Sequence, residues 1–272
     1  MTQDAWLAAH PYLQSVAELD ALVHAAVAEV SMPGAGIPQW DDYIGDFHAG
    51  VPLLHSTRVA IDLGRAERIV SSLVERLASS RRLPGTLAEE CRALAAQLQW
   101  DSDSPRRTVA WLLGEDLFSP THPGLLYYLG WTALARYLSA VVGAFSRWRD
   151  EERWLHSYCP TCGGPPAMAQ LLGVDPGRQR LLCCGRCTTR WRYRRTGCPF
   201  CQSADDHRLA VLAIEGEGGL RIDYCEACSG YLKTYNGEGN EGWLLADWTS
   251  LHLDILARDR GLKRLAASLY EL

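Results

Sequence analysis

A chain of 272 residues that is 47% apolar can bury a sizeable core and has room for two domains. Its formal charge of −5 excludes a protein that holds nucleic acid by bulk charge alone. Ten cysteines, with only a short mixed stretch at Met1–His10 and no apolar secretory segment, point to the reducing cytoplasm and to thiols kept for metal rather than for disulfides.

Residues 1–157 read as a helical domain. A capping box at Ser15–Glu18 opens a helix with Val16, Leu19, Leu22, Val23, Val27 and Val30 on one face, and Pro33 and Gly34 end it. A loop or short helix over Trp40–Pro52 runs into Gly50-Val51-Pro52-Leu53-Leu54. Further helices are predicted through Ala66, Ile69, Val70, Leu73 and Leu77, from a cap at Thr86–Glu89, and from Ser104-Pro105. Cys91, in register with Leu87, Leu94 and Leu98, reads as a buried small hydrophobe. Gly124–Phe145 has the length and apolarity of a membrane span, but Arg136 lies in its middle, where a bilayer would make it expensive. A core helix is the better reading.

The chemistry is concentrated in Cys159–Cys228. C-x-x-C occurs there four times: Cys159/Cys162, Cys184/Cys187, Cys198/Cys201 and Cys225/Cys228. Such a knuckle aims two sulfurs at one point, and two knuckles close a four-sulfur shell around zinc or iron. Each long interval reads as a hairpin. One pairs Met168–Val174 with Arg180–Cys183 around Asp175-Pro176-Gly177-Arg178. The other pairs Leu209–Glu215 with Leu220–Tyr224 around Gly216-Glu217-Gly218-Gly219. Both units open with Cys-Pro-x-Cys, which marks an internal duplication.

Duplication predicts sequential pairing, with one ion on Cys159, Cys162, Cys184 and Cys187 (residues 158–196) and another on Cys198, Cys201, Cys225 and Cys228 (residues 197–236). Cross-braced pairing of the first and third knuckles stays open. Cys183 breaks the spacing and reads as a packed thiol; His156 and His207, near the knuckles, read as packing or surface residues. A closed thiolate shell leaves no vacancy for water or substrate, so such a centre is structural or passes electrons. No catalytic residue is assigned, and no nucleophile elbow, phosphate loop or dinucleotide fingerprint occurs.

Arg178, Arg180, Arg186, Arg190, Arg192, Arg194 and Arg195 share a stretch without acids, interleaved with Trp191 and Tyr193. Three readings stand: contact with nucleic acid, support of anionic thiolate sites, and docking of an acidic protein surface. Tyr231–Lys233 continues as strand. Residues 237–272 form a loop and a helix from near Asp247, burying Leu251, Ile255 and Leu256 up to Gly261, then a short helical tail packed back on the body.

Several pieces occur together in order: Gly50–Leu54, Cys159-Pro160-Thr161-Cys162-Gly163, Cys184-Gly185-Arg186-Cys187 followed by Trp191, Cys198-x-x-Cys201, Tyr224–Lys233, and Leu251-His252-Leu253-Asp254 leading to Gly261. In these the chain resembles the formate dehydrogenase accessory proteins of the FdhE type, over nearly its whole length up to Arg264. The resemblance implies a cytoplasmic maturation factor, not an enzyme, that binds the catalytic subunit of a respiratory formate dehydrogenase. It also implies two rubredoxin-like centres with iron favoured over zinc, although spacing alone does not separate the two metals. The expected fold is α+β: a helical N-terminal domain, two tandem rubredoxin-like or zinc-ribbon modules with four cysteines each, and a C-terminal helix, with no membrane span. A zinc-ribbon nucleic-acid-binding protein and a thiol redox protein are the rival readings.

Overall fold

Apolar residues recurring at three- and four-residue steps make helices of the first half of the chain, and the computed structural model, which describes residues 2–30, 33–174, 177–217, 219–266 and 268–270, shows where they lie. They are α1 (Gln3–Ala9), α2 (Gln14–Ala28), α3 (Ile44–His48), α4 (Gly64–Ala78), α5 (Gly85–Trp100), α6 (Ser104–Leu112) and α7 (Pro123–Trp148). Helix α1 is not legible in the pattern; the Thr2 hydroxyl accepts from the Ala5 N–H and caps it. The two capping boxes do not form. A 3-10 turn at Pro11–Leu13 leads directly into α2, which leaves Ser15 inside the helix, and Pro84 sets the entry to α5 one residue before Gly85. Ser104 is the first residue of α6 rather than its cap, with Pro105 in the first turn, where a missing N–H is harmless.

Strands follow: β1 (Pro166–Leu172), β2 (Gln179–Cys184), β3 (Arg190–Tyr193), β4 (Leu209–Ala213), β5 (Leu220–Cys225) and β6 (Gly230–Asn236). The chain then forms α8 (Glu241–Leu244), α9 (Leu251–Asp259) and β7 (Lys263–Arg264). Both predicted hairpins are present, β1–β2 and β4–β5, each extended by a third antiparallel strand. Asp175, Pro176 and Gly218, central to the two predicted turns, lie outside the described residues, as does Met32 at the end of the second helix. The two three-stranded pieces join through a parallel pairing of β1 with β6, Met168 opposite Lys233 through Leu171 opposite Asn236. The sheet order is β3-β2-β1-β6-β5-β4, so the duplicated ribbons share one continuous sheet. At the C-terminus the helix turns its other face inward: Leu251, Leu253 and Ala257 are buried, while Ile255 and Leu256 are exposed. The predicted helical tail is instead the short strand β7, parallel to the start of β6.

Two compact units result. One comprises Met1–Ser15, Trp40–Arg58 and Trp148–Ser268; the other comprises Val16–Gln39, Val59–Arg147 and Leu269–Leu272. The division therefore does not fall at residue 157, because two N-terminal segments belong with the sheet. In the second unit α7 is long and apolar enough to cross a membrane by length and composition, yet 61% of its apolar window is buried inside the protein and Arg136 is on its exposed face. At Gly130 an added Cβ would lie 2.5 Å from Leu112 Cδ1, so α6 and α7 approach more closely there than a side chain allows. Helix α7 is a core helix.

Candidate metal centres

The eight knuckle cysteines come together in two groups and in sequential order. Cys159, Cys162, Cys184 and Cys187 form one quartet, and Cys198, Cys201, Cys225 and Cys228 the other, with the sulfurs of each within 4.8 Å of one another. Cross-bracing does not occur. Across the first quartet Cys159 Sγ lies 3.5 Å from Cys187 Sγ, and Cys162 Sγ 3.5 Å from Cys184 Sγ. The matching separations in the second are 3.7 and 3.8 Å. A tetrahedron with metal–sulfur bonds of about 2.3 Å has edges of about 3.8 Å, so both quartets match the shell of one zinc or iron ion. None of the ten cysteines is in a disulfide.

The backbone explains the convergence. The residue after the second cysteine of every knuckle is left-handed: Gly163 (φ 71°), Thr188 (φ 60°), Gln202 (φ 60°) and Ser229 (φ 58°). Three of the four are not glycine, each at a cost of about 1–2 kcal/mol. Strain repeated at equivalent positions marks a shape that something holds in place. That turn aims N–H groups at sulfur: Thr161 N–H donates to Cys159 Sγ, Phe200 N–H to Cys198 Sγ and Gly230 N–H to Cys228 Sγ, each at 3.4 Å. Around the first quartet the Thr161 and Thr189 hydroxyls meet at 2.8 Å, and Thr189 lies 3.2 Å from Cys187 Sγ.

The Gly50–Leu54 motif has a role that sequence alone did not reveal. Leu53 and Leu54 donate their N–H groups to the carbonyls of Pro160 and Thr161, both at 2.9 Å. The His55 ring donates to the Cys162 carbonyl at 3.2 Å, and the Tyr158 hydroxyl donates to the Gly50 carbonyl at 2.8 Å. A Cβ on Gly163 would come within 3.2 Å of Pro52 Cγ. Residues 50–55 thus clamp the first knuckle through its own backbone.

The thiols outside the quartets are inert by environment. Cys183 faces away from Cys184 on β2, is 5% exposed, and burial pushes its thiol up to about 12. Burial likewise pushes Cys91 up to about 11. His156 stacks on Tyr158, and His207 is exposed; neither joins a quartet. Trp191 and Tyr193 are buried, so they present no faces for bases. Arg190 donates to Gln170 Oε1, Arg192 pairs with Glu152, and buried Arg180 donates to the Gly197 carbonyl. These three of the seven arginines in this stretch are therefore engaged within the protein.

The quartets differ in exposure. All four sulfur residues of the first are buried, whereas Cys201 is exposed and Cys228 half-exposed in the second. A chelator is expected to strip a bound ion from the second quartet first, in a biphasic release of two equal amplitudes with at least a tenfold gap in rate. A single phase for both ions, followed by absorbance of a metallochromic dye, would contradict this asymmetry.

A helical body with a ribbon sheet carrying two four-thiol clusters defines a tandem rubredoxin-like or zinc-ribbon protein. No family model matches the chain. Its fold is shared with the FdhE protein from Pseudomonas aeruginosa, whose crystal structure matches at a TM-score of 0.59 and 24% identity over 95% of this chain and 88% of that one. In sequence it is 30% identical over 196 residues to an FdhE homolog from Stutzerimonas stutzeri, covering 65% of this chain and 58% of that protein. An FdhE homolog from Pseudomonas aeruginosa is 37% identical over 117 residues, 39% of this chain and 37% of that protein. One from Aquifex aeolicus is 30% identical over 115 residues, 41% of each. The sequence matches thus span less than two thirds of each of these three homologs. The chain is thus similar in sequence to FdhE homologs and in fold to an FdhE protein.

Proposed function

We propose that this chain is an accessory factor in formate dehydrogenase maturation, which binds the enzyme's catalytic subunit in the cytoplasm and performs no chemistry on a small molecule itself. The observation that carries the reading is the pair of closed thiol quartets set into one sheet. The likeness to FdhE proteins supports this choice of client. Cys159, Cys162, Cys184 and Cys187 would hold one ion and Cys198, Cys201, Cys225 and Cys228 the other, iron favoured over zinc. Such an ion fixes ribbons too small to fold on a core of their own, and as iron it could also exchange one electron per site.

Beside the second quartet a cleft of about 340 Å³ is lined by Arg178, Arg180, Arg195 and Arg221, the last paired with Asp223 at 2.8 Å, together with Phe200 and Leu209. More guanidinium than carboxylate groups over an apolar floor complement an acidic segment with an apolar side chain, and we assign this cleft to the client. The test is capture of the catalytic subunit by the tagged protein, with elemental analysis and an absorption spectrum of anaerobically purified material. Capture is expected, together with two ions per chain, and the double substitution Arg178→Glu and Arg195→Glu should weaken it at least tenfold. Failure to retain the catalytic subunit at low salt would remove the reading. Colourless protein with two zinc ions would leave the role and change the metal.

A further inference from the structure

A third group of metal-ligating side chains lies apart from the thiols. His10 follows α1, Glu217 stands in the connection between β4 and β5, and His252 is in α9; the three belong to the same compact unit as the quartets. They are separated by more than 200 residues of sequence at the extremes, yet one ligand atom from each lies within 4.8 Å of the others. Their side chains are 9%, 11% and 12% exposed. Trp6, whose ring stacks on His10 at 3.9 Å and whose indole N–H donates to the Thr249 carbonyl at 3.1 Å, walls the group from solvent.

His10 Nδ1 lies 2.9 Å from the Trp6 carbonyl, which can only accept, so Nδ1 carries a proton. Its Nε2 faces the Glu217 carboxylate, 3.4 Å from Oε1. His252 Nε2, 2.6 Å from Glu217 Oε2, donates, which leaves Nδ1 buried without a hydrogen-bond partner among the described residues. Two imidazoles and a carboxylate therefore converge in a buried place, one ring nitrogen being left without a partner among the described residues. A backbone carbonyl holding the far nitrogen of an imidazole is the support that metal-bound histidines have. The separation of 3.4 Å between His10 and Glu217 is also the edge of a tetrahedron with bonds of about 2.1 Å to nitrogen and oxygen, whereas the 2.6 Å between His252 Nε2 and Glu217 Oε2 is a direct hydrogen bond that an ion would replace.

We propose that His10, Glu217 and His252 form a third metal site, a two-histidine, one-carboxylate site for a borderline divalent ion such as zinc(II) or cobalt(II). Three protein ligands leave a further coordination position for water or another small donor, which the thiol quartets do not. The site ties α1, the β4–β5 connection and α9 together in one unit. It stands independently of the maturation reading.

Protein whose quartets are filled, shown by two tightly held ions after dialysis, is titrated with zinc(II) and, separately, with cobalt(II) at neutral pH. One further equivalent should bind, and the cobalt form should show ligand-field bands without added thiolate charge transfer. Glu217→Gln keeps the shape of the side chain, and His252→Ala removes a ligand. Each should weaken the third equivalent at least about 100-fold, since even outer-sphere partners are worth 10–100-fold. Retention of the two quartet ions and of the melting temperature in Glu217→Gln reports that the variant is folded. Absence of a third equivalent in the wild type would overturn the site, as would one that both variants bind undiminished. An ion-paired cluster without metal would be seen as no third equivalent. Either failure leaves the two-ion count and client capture as they were.

Discussion

Replacing Cys184 with alanine is expected to lower the metal content from two ions per chain to one and to melt the protein at least about 10 °C earlier. Cys184 ends β2 and is 4% exposed, with its sulfur 3.5 Å from Cys162 Sγ. Metal binding in small thiolate sites is worth about 10–16 kcal/mol and is largely folding free energy. Losing even a third of it exceeds what a single packing contact contributes, and in a domain of this size each kcal/mol moves the melting temperature by about 2–4 °C. Cys183 offers no rescue, since its side chain points to the opposite face of β2. Cys183→Ala is therefore the control and should keep both ions. The parallel pairing of β1 with β6 transmits the damage, so the loss should extend beyond the first ribbon. Elemental analysis with differential scanning calorimetry decides the matter; two ions per chain in Cys184→Ala would remove that cysteine from the ligand set.

How much of this was legible follows from what a local pattern can encode. The spacing C-x-x-C, the hairpin turns and the duplication are local, and from them the two quartets and both hairpins follow. The parallel junction of β1 and β6 is not local: nothing in Met168–Leu171 states that Lys233–Asn236 will lie beside it. The same holds for Gly50–Leu54, which as a string is only a turn and two leucines, but which meets the knuckle more than 100 residues later through backbone atoms that carry no sequence signature. Two helix starts differ from the pattern because Ser15 and Thr86 have capping chemistry, while Pro11 and Pro84 just upstream fix the backbone and decide the boundary. Ile255 and Leu256 look like core positions by hydrophobicity alone. The face of α9 is set instead by Asp254, a buried acid whose partners come from β6 and β7.

That buried acid belongs to a cluster, and breaking it at Lys233 is expected to cost about 3–5 kcal/mol. Lys233, in the middle of β6, is 1% exposed. Its Nζ lies 2.7 Å from Asp247 Oδ1 and 2.8 Å from Asp254 Oδ2, and donates to the Ser250 carbonyl at 3.2 Å. Arg264 from β7 pairs with both carboxylates, the Ser268 hydroxyl donates to Asp247 at 2.5 Å, and the Tyr231 hydroxyl donates to Asp254 at 2.7 Å. Two positive and two negative groups balance, so Lys233→Met leaves two carboxylates to share one guanidinium in the interior. Burial alone would raise the Asp247 carboxyl, but Lys233 and Arg264 outweigh it and hold it at about 2, below the usual 3.8. A depressed folded value means stability that is fully present above the unfolded value near 3.8 and is lost as pH falls through about 2, a contribution of about 2.5 kcal/mol. In Lys233→Met that carboxyl should rise, so the penalty should be largest near pH 7 and shrink toward pH 4 as a proton neutralises the orphaned acid. The double variant Lys233→Met with Asp254→Asn should recover at least half of the single-variant loss, because the unpaired charge is gone. Urea unfolding at pH 4 and pH 7 measures both effects. A cost below about 1 kcal/mol for Lys233→Met, or one that does not change with pH, would mean that the cluster does not pin α9 and β7 to the sheet.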